Sequence, residues 1–443
     1  MTVNPRFIDY FRETFFSEKP EELVEFLSSL EKGIPRTIRI RPGKEKEVKT
    51  RIERYGFTLE ETYIPNVFVL GRTEDFDPLE RRIGYTVDHL VGNFYIQELA
   101  AATSVHILSE GKIHEDDFVI LDMAASPGGK TTQLSEMYPN SFIIANEPTR
   151  ERIPQLLQNL DRMGSANIGV TLYPGQYFTK TPETFDRILL DAPCSGEGTL
   201  YKGTDATKHW HIKNIKTIAR LQEKLIHAAI IALKVGWEMV YSTCSMNLLE
   251  NEWVLESITK KYPGTFEIIF QKRFWPHIDH TGGFFVAKIR KIASIEEIDE
   301  KSEKPNTNSE IKTYKWHLSG VTLRKAIILY EHTGKILAVK KHKELENLKK
   351  QYYFMRFGEK IGQNDNGTIL FDAFAHRYIE TDSILRYQLQ DEEELDRYLR
   401  WQLLEVEGQD DPVIVSYVDL DMALEEISGS VLSNNFPPDW QRK

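Results

Sequence analysis

Arg187-Ile188-Leu189-Leu190-Asp191-Ala192-Pro193-Cys194-Ser195-Gly196 runs from an apolar strand into a turn. Further along, Met239-Val240-Tyr241 leads in the same way into Ser242-Thr243-Cys244-Ser245. The chain has two cysteines among 443 residues, and these two turns hold both. In an open parallel α/β sheet, ligands bind in the crevice beyond the carboxyl ends of the strands. A chain that places its only thiols at two such ends is using them for chemistry. The competing reading, small apolar core fillers, fits poorly, because Asp191 to Gly196 is a turn sequence and not a core run.

Outward from these strands, the segment 118–291 alternates strands and helices, which predicts parallel strands joined by right-handed crossovers with helices on both faces. Val119-Ile120-Leu121 ends at Asp122, and Ser126-Pro127-Gly128-Gly129-Lys130 forms a tight loop before a helix. A second strand ends at Asn146-Glu147. Further strands are expected over 170–173, 266–270 and 283–290, and helices over 99–108, 150–163, 215–233 and 251–261. Before this core, helices over 6–31 and strands over 37–41 and 66–70 make a small α+β domain, 1–85. There Arg36, Arg39, Arg41 and Lys44 are candidates for phosphate contact, with a solvated strand face as the alternative. The catalytic segment spans 86–292. A polar, charged stretch over 293–312 reads as a linker. Residues 313–443 read as a mostly β domain, with strands over 334–340, 367–371 and 413–418 and helices over 392–403 and 421–432.

Two cysteines exclude a disulfide framework and suit a reducing cytoplasm. No segment approaches the ~20 apolar residues that a membrane helix needs, and the first residues lack an apolar run of signal-peptide length. The net charge of -11 argues against indiscriminate nucleic-acid binding. Yet residues 312–356 hold eleven Lys/Arg against three acids, and residues 380–426 hold fifteen acids against three Arg. A phosphate backbone feels the local field, so a basic face on this acidic chain is compatible with RNA.

Ala124-Ala125-Ser126-Pro127-Gly128-Gly129-Lys130-Thr131 fits a relaxed phosphate-loop pattern, so a P-loop NTPase is a competitor. Against it, the first glycine is missing and Pro127 removes an N–H donor. Glu147, 19 residues after Gly128, stands where a carboxylate accepts from ribose hydroxyls. The dinucleotide fingerprint is absent as well. A loop that opens a helix still offers N–H groups to a small anion, and the carboxylate of S-adenosylmethionine suits it.

Five stretches together resemble the RNA cytosine-C5 methyltransferases of the Sun family, most closely the bacterial branch that modifies 16S ribosomal RNA and carries a C-terminal RNA-binding extension. They are Asp122 to Gln133, Ala145-Asn146-Glu147, Asp191 to Gly198, Tyr241 to Ser245 and Gly282-Gly283-Phe284-Phe285-Val286-Ala287. The resemblance is dense over 92–290 and loose after the linker. It implies a Rossmann-like α/β core with a mostly parallel doubly wound sheet and a PUA-like C-terminal domain. It also implies S-adenosylmethionine as cofactor, held by Ala124, Ala125, Ser126, Pro127, Gly128, Gly129, Lys130, Glu147 and Asp191. Cys244 is then the nucleophile and Cys194 assists product release, with Asp191 in the base pocket. One position departs: Pro174 stands where the family places an acid near the adenine, which leaves Gln176 or backbone groups for that contact.

This chemistry needs a thiolate. Carbon 5 of cytosine is electron-poor until a nucleophile adds at carbon 6, and covalent addition splits one hard step into easier ones. A free thiol has a pKa of about 8.5, which a cation such as Lys130 can lower. Asp191 is expected to hydrogen-bond ring nitrogen 3 as the neutral acid. The mechanistic rival uses Cys194 alone as nucleophile, as in DNA cytosine methyltransferases. Functional rivals are a transfer-RNA cytosine-C5 methyltransferase and a non-catalytic RNA-binding or ribosome-assembly factor. His277 and His280 make a poor metal site and read as a loop bordering the base pocket; no metal is expected. Tyr352, Tyr353 and Phe354, among Lys349, Lys350 and Arg356, are candidates for stacking on RNA or for a core strand edge. A cytoplasmic monomer with an RNA partner and no membrane is expected.

Overall fold

The computed structural model describes residues 3–73, 82–203, 207–208, 210–295, 312–313, 322–365, 368–380, 384–407 and 411–437. The chain divides into two units. One holds Met1–Phe76, Phe94–Asn159 and Val170–Pro305; the other holds Asp77–Asn93, Leu160–Gly169 and Asn306–Lys443. These boundaries do not follow the four segments read from the sequence, because the N-terminal residues share a core with the catalytic segment. Most of the linker, 296–311, lies outside the described residues.

In the first unit, α1 (Pro5–Phe15) begins at Asn4, whose side chain accepts the Arg6 N–H, with Pro5 in the first turn. Together with α2 (Pro20–Glu31) it buries Phe7, Phe11, Phe26 and Leu30 in one cluster with Leu200, Trp210 and Met246. β1 (Thr37–Ile40), α3 (Glu45–Arg54), β2 (Phe57–Glu61) and β3 (Val67–Arg72) follow. After α4 (Val87–Leu90), which belongs to the second unit, β4 (Phe94–Ile96) completes an antiparallel sheet of order β2-β3-β1-β4. Arg39 on β1 is 2% exposed, so it is not a phosphate contact. Its guanidinium pairs with Glu136 at 2.8 Å and donates to Gln97, Thr132 and the Gly129 carbonyl. A cation in that setting is structural.

α5 (Leu99–Leu108) is capped by Glu98, whose carboxylate accepts the Ala100 and Ala101 N–H groups. The large sheet then forms from β5 (Val119–Asp122), β6 (Phe142–Asn146), β7 (Ile168–Thr171), β8 (Phe185–Asp191), β9 (Leu233–Thr243), β10 (Phe266–Phe274) and β11 (Phe284–Lys291), in the order β10-β11-β9-β8-β5-β6-β7. The intervening helices are α6 (Gly129–Met137), α7 (Ile153–Met163), α8 (Ile212–Ala232), α9 (Glu252–Lys261) and α10 (Pro276–Asp279). β5 pairs in parallel with β6 and β8, and β8 with β9. β11 runs antiparallel to both β9 and β10. Every residue of β5 and β6 is buried, as central parallel strands require.

In the second unit, one sheet runs β12 (Lys312–Thr313), β13 (Ile327–His332), β14 (Lys335–Lys340), β16 (Glu359–Asp365), β17 (Thr368–Phe371), with α11 (Leu345–Gln351) and β15 (Arg356–Phe357) between β14 and β16 in the chain. The other takes the order β18 (Leu385–Leu389), β20 (Pro412–Tyr417), β21 (Leu420–Ser428), β22 (Val431–Leu432), β19 (Leu404–Glu405), with α12 (Glu392–Leu399) after β18. The helix expected over 421–432 is thus two strands. Leu420, Met422 and Leu424 alternate, and β21 pairs with β20 through Ile414↔Leu424 and Val415↔Ala423. Val413, Val415 and Met422 enter one core, Ile414 and Leu424 another. Burial on both faces overrides the helical propensity of Glu425 and Glu426. Tyr352 and Phe354 are fully buried and only Tyr353 is exposed, so the first two are core and not stacking platforms. Among the described residues, no helix is long and apolar enough to cross a membrane.

Candidate active site

The chain lays down β5, β6 and β7 outward in one direction, then returns to place β8 and β9 on the other side of β5. Such a reversal opens a crevice at the carboxyl ends of the strands. Asp122, Asn146, Asp191 and Thr243 are the last residues of β5, β6, β8 and β9. Asn146 knots three of the segments there. Its Nδ2 donates to the Met123 and Tyr173 carbonyls at 3.2 and 2.9 Å, and its Oδ1 accepts from Thr171 Oγ1 and Tyr173 N at 3.0 Å each. Asp122 is 1% exposed and accepts from Thr131 Oγ1 at 2.6 Å. Burial, helped by the Asp191 charge, pushes its pKa up to about 7, against the Thr131 bond and Lys130.

Ala124, Ala125, Ser126 and Pro127 lead from β5 to Gly128, which caps α6 in the left-handed region at φ 108°. Only glycine adopts that conformation without strain. A side chain there would also press on Leu156, 3.2 Å from the Cβ position. No side chain caps α6, so its first N–H groups remain available to an anion. Glu147 is fully buried; its Oε1 accepts the Thr149 N–H at 3.0 Å. Its Oε2 faces Arg152 at 3.2 Å but accepts no hydrogen bond. A buried carboxylate oxygen without a hydrogen-bond donor fits a ribose hydroxyl.

The two thiols meet: Cys194 Sγ and Cys244 Sγ lie 2.8 Å apart, both half-buried and both free. Their strands pair directly, with Asp191 opposite Ser242. The Cys194 thiol is pushed well up by its hydrogen bond to Cys244, then by burial and by the charges of Cys244, Glu250 and Asp191. The Cys194 thiol thus resists ionisation. Lys130 Nζ donates to Asp191 Oδ2 at 2.7 Å, and Ser242 Oγ donates to Asp191 Oδ1 at 2.8 Å. Burial opposes charge on Lys130, but Asp191 and Cys244 outweigh it and raise its pKa. Asp191 thus accepts at both oxygens, one of the bonds coming from a half-buried cation.

Two glycines let the cysteine loops close. Gly198 N–H donates to the Cys244 carbonyl at 2.9 Å, and Gly283 N–H donates to the Gly198 carbonyl at 3.0 Å. A Cβ on Gly198 would strike the Gly283 carbonyl. His277 sits among Phe16, Phe26 and Trp275, with Nε2 3.5 Å from Glu22. Two carboxylates carried no signal in the sequence beyond motif membership for Glu197 and none for Glu250. Both are fully buried beside the thiols. Glu197 accepts from Met246 N, Asn247 N and Nδ2 and Trp210 Nε1; Glu250 accepts from Ser195 N and Oγ, Gln222 Nε2 and Asn247 Nδ2.

Residues 111–290 match the 16S rRNA methyltransferase RsmB/F family. This segment holds Ala124 to Lys130, Glu147, Asp191, Cys194 and Cys244, and the family resemblance drawn from the five motifs is borne out. Ribosomal RNA small subunit methyltransferase F of Aeromonas hydrophila is 37% identical over 292 residues, 61% of this chain and 61% of that protein. Its counterpart in Shewanella baltica is 34% identical over 319 residues, 66% of this chain and 64% of that protein. With that of Shewanella piezotolerans the match spans 50% of the relative's length, so the chain spans about half to two thirds of the curated relatives it matches. Among solved structures, a methyltransferase homologue protein from Pyrococcus horikoshii is 27% identical with a TM-score of 0.54, over 66% of this chain and all of that one. NSun6 from Pyrococcus horikoshii, solved with SFG, is 22% identical with a TM-score of 0.57, over 66% of this chain and 99% of that one. The latter likeness bears on fold alone. The segment that matches this family thus has the α/β methyltransferase fold expected from its alternating strands and helices.

Proposed function

We propose that the chain is an S-adenosylmethionine-dependent RNA cytosine-C5 methyltransferase, a cytoplasmic monomer whose substrate is small-subunit ribosomal RNA. The 2.8 Å approach of Cys194 and Cys244 at adjacent strand ends carries this reading. A core filler needs no second thiol beside it, and a pure RNA binder needs neither.

S-adenosylmethionine supplies the electrophilic methyl group when bound. The loop from Ala124 to Lys130 and the free end of α6 hold its amino-acid moiety, and the donor-less oxygen of Glu147 takes a ribose hydroxyl. Tyr173 and Tyr177, stacked with ring centroids 4.1 Å apart, flank Pro174, which stands where the family resemblance implies an acid near the adenine.

Cys244 Sγ adds to carbon 6 of the cytosine. The C5–C6 double-bond electrons then serve carbon 5 as nucleophile. Negative charge that builds on the ring is met by Lys130, while Asp191 accepts from the exocyclic amine and keeps Lys130 charged and aimed. Preorganised donors of this kind act without reorganising during the reaction. Cys194 is held protonated beside Cys244; once Cys244 is bonded to carbon its charge no longer opposes ionisation of Cys194, which gives its proton to solvent and becomes a thiolate base. It then removes the carbon-5 proton, the double bond re-forms, and Cys244 leaves. The residues 313–443 are the RNA-binding part of this scheme, supported by the excess of Lys/Arg over 312–356. Arg36, Arg41 and Lys44 remain for RNA contact in the N-terminal segment.

The test is methyl transfer from labelled S-adenosylmethionine to three substrates: naked 16S rRNA, assembled small subunits and transfer RNA, with bisulfite sequencing of the products. A new 5-methylcytosine in 16S rRNA is expected. Methylation confined to transfer RNA would reassign the substrate, and none in any RNA would overturn the reading.

A further inference from the structure

Glu197 leaves the Cys194 loop three residues after the thiol, yet three of its four hydrogen bonds go to the loop after Cys244: Met246 N at 2.8 Å, Asn247 N at 2.7 Å and Asn247 Nδ2 at 3.1 Å. Glu250 lies six residues after Cys244, yet it holds the Cys194 loop through Ser195 N at 2.8 Å and Ser195 Oγ at 2.5 Å. The straps cross. Asn247 sits between them: its amide donates to both carboxylates, at 3.1 and 2.6 Å, and its Oδ1 accepts the Glu250 N–H at 2.9 Å. Gln222 donates both to Glu250, at 3.1 Å, and to the Pro193 carbonyl, at 2.9 Å. Cys194 is therefore pinned on both sides, at Pro193 and at Ser195. Cys244 is pinned likewise, by Asn251 on Thr243 Oγ1 and the Ser245 carbonyl, at 2.6 and 3.1 Å.

Glu197, Gln222, Asn247, Glu250 and Asn251 are all fully buried. Burying two carboxylates costs stability relative to an apolar core of the same shape. Burial and the Glu250 charge push Glu197 up to about 7, the mark of two carboxylates forced together. A network that costs stability and whose bonds converge on two cysteine loops is retained for geometry.

We propose that Glu197 and Glu250 are positioning residues that cross-strap the two cysteine loops and set the distance between the thiols, so that one sulfur holds carbon 6 while the other reaches the carbon-5 proton. The inference rests on the methyltransferase reading above, and its test separates the two. Glu197→Gln, Glu250→Gln and Ser195→Ala are made in the full chain. Two quantities are measured: kcat and KM for rRNA methylation, and the stability of the Cys194–Cys244 disulfide against a glutathione redox buffer. The disulfide reports thiol proximity with no RNA present. The Gln variants are expected to lose about 100-fold in kcat with KM little changed, as a misplacement of about 1 Å implies. Their disulfide is expected to weaken about tenfold in effective concentration, since a looser pair pays more to close. Ser195→Ala, which keeps the Ser195 N–H bond, should fall between wild type and Glu250→Gln in both measures, and it decides the matter if the Gln variants do not fold. Wild-type kcat and wild-type disulfide stability in Ser195→Ala and in the folded Gln variants would overturn the proposal. If the unaltered chain methylates no RNA, the methyltransferase reading fails while the disulfide measurement still decides the strap.

Discussion

At the scale of the residue, two thiols share one site. Cys194 and Cys244 lie 2.8 Å apart, and the hydrogen bond between them, with burial, pushes the Cys194 thiol well up. In the proposed chemistry Cys194 keeps its proton while Cys244 attacks. Lys130 and Asp191 divide their work in the same way, as donor and acceptor joined at 2.7 Å. Lys130→Met should keep the fold, since its stem is apolar, yet lower kcat about 100-fold through loss of one preorganised charge; single-turnover methylation measures it. Gly198→Ala should cost about 2 kcal/mol or more, because its Cβ has no room against the Gly283 carbonyl. Chemical denaturation of the variant beside wild type checks that figure. The thiols, Asp191 and the loop to Lys130 are legible in the sequence because each ends a strand at a turn. The ion pair is not: a cation from α6, sixty-one residues away in the chain, closes on Asp191.

At the scale of the element, strands and helices over 99–291 follow their periodicity closely; α5 matches its expected span of 99–108. The failures come where tertiary partners decide. β21 carries apolar residues compatible with either period, and its pairing with β20 selects the strand. Arg39 lies on a strand whose alternation suggests a solvated face, but β1 is covered by α6 through Glu136 and Thr132. Nothing local to Thr37–Ile40 announces that cover. The helices α1 and α2 also do more than precede the core. Phe11 and Phe26 pack with Trp210 and Met246, and Met246 follows Cys244 by two residues. Tyr10 accepts the Leu248 N–H at 3.1 Å in the same region. Phe11→Ala should therefore cost about 3–5 kcal/mol and lower kcat with little change in KM, because the loop it supports carries Cys244, the proposed nucleophile. Thermal melts and steady-state kinetics on one preparation test both halves.

At the scale of the whole molecule, burial of acids sets the response to pH. Burial is the leading cause that pushes Asp122, Glu197, Glu359 and Glu425 up to about 7, from ordinary values of 3.8 for Asp and 4.5 for Glu. A group whose folded pKa is raised gives stability that is full below its unfolded value and lost as pH rises through the folded one. His89 and His376, depressed to about 3 and 4 chiefly by burial, act in the opposite sense, but only below 6.5. Glu252 is raised and His106 lowered, each chiefly by burial; five carboxyls against three histidines leave a net loss, so the melting temperature should fall as pH rises from 5.5 to 8. A scan in constant ionic strength checks it; a rising curve would mean that these acids are ionised in the folded chain. The polar network around the thiols belongs to this scale too, since four separate stretches of chain meet in it.

The central claim is that Cys244 bonds to the base and Cys194 frees it. Cys194→Ser is incubated with 16S rRNA and S-adenosylmethionine, run on a denaturing gel, and the cross-linked peptide is mapped by mass spectrometry. The account predicts a stable protein–RNA adduct with the nucleotide on Cys244, and no adduct from Cys244→Ser. Full turnover by Cys194→Ser without an adduct, or an adduct formed by Cys244→Ser through Cys194, would contradict it.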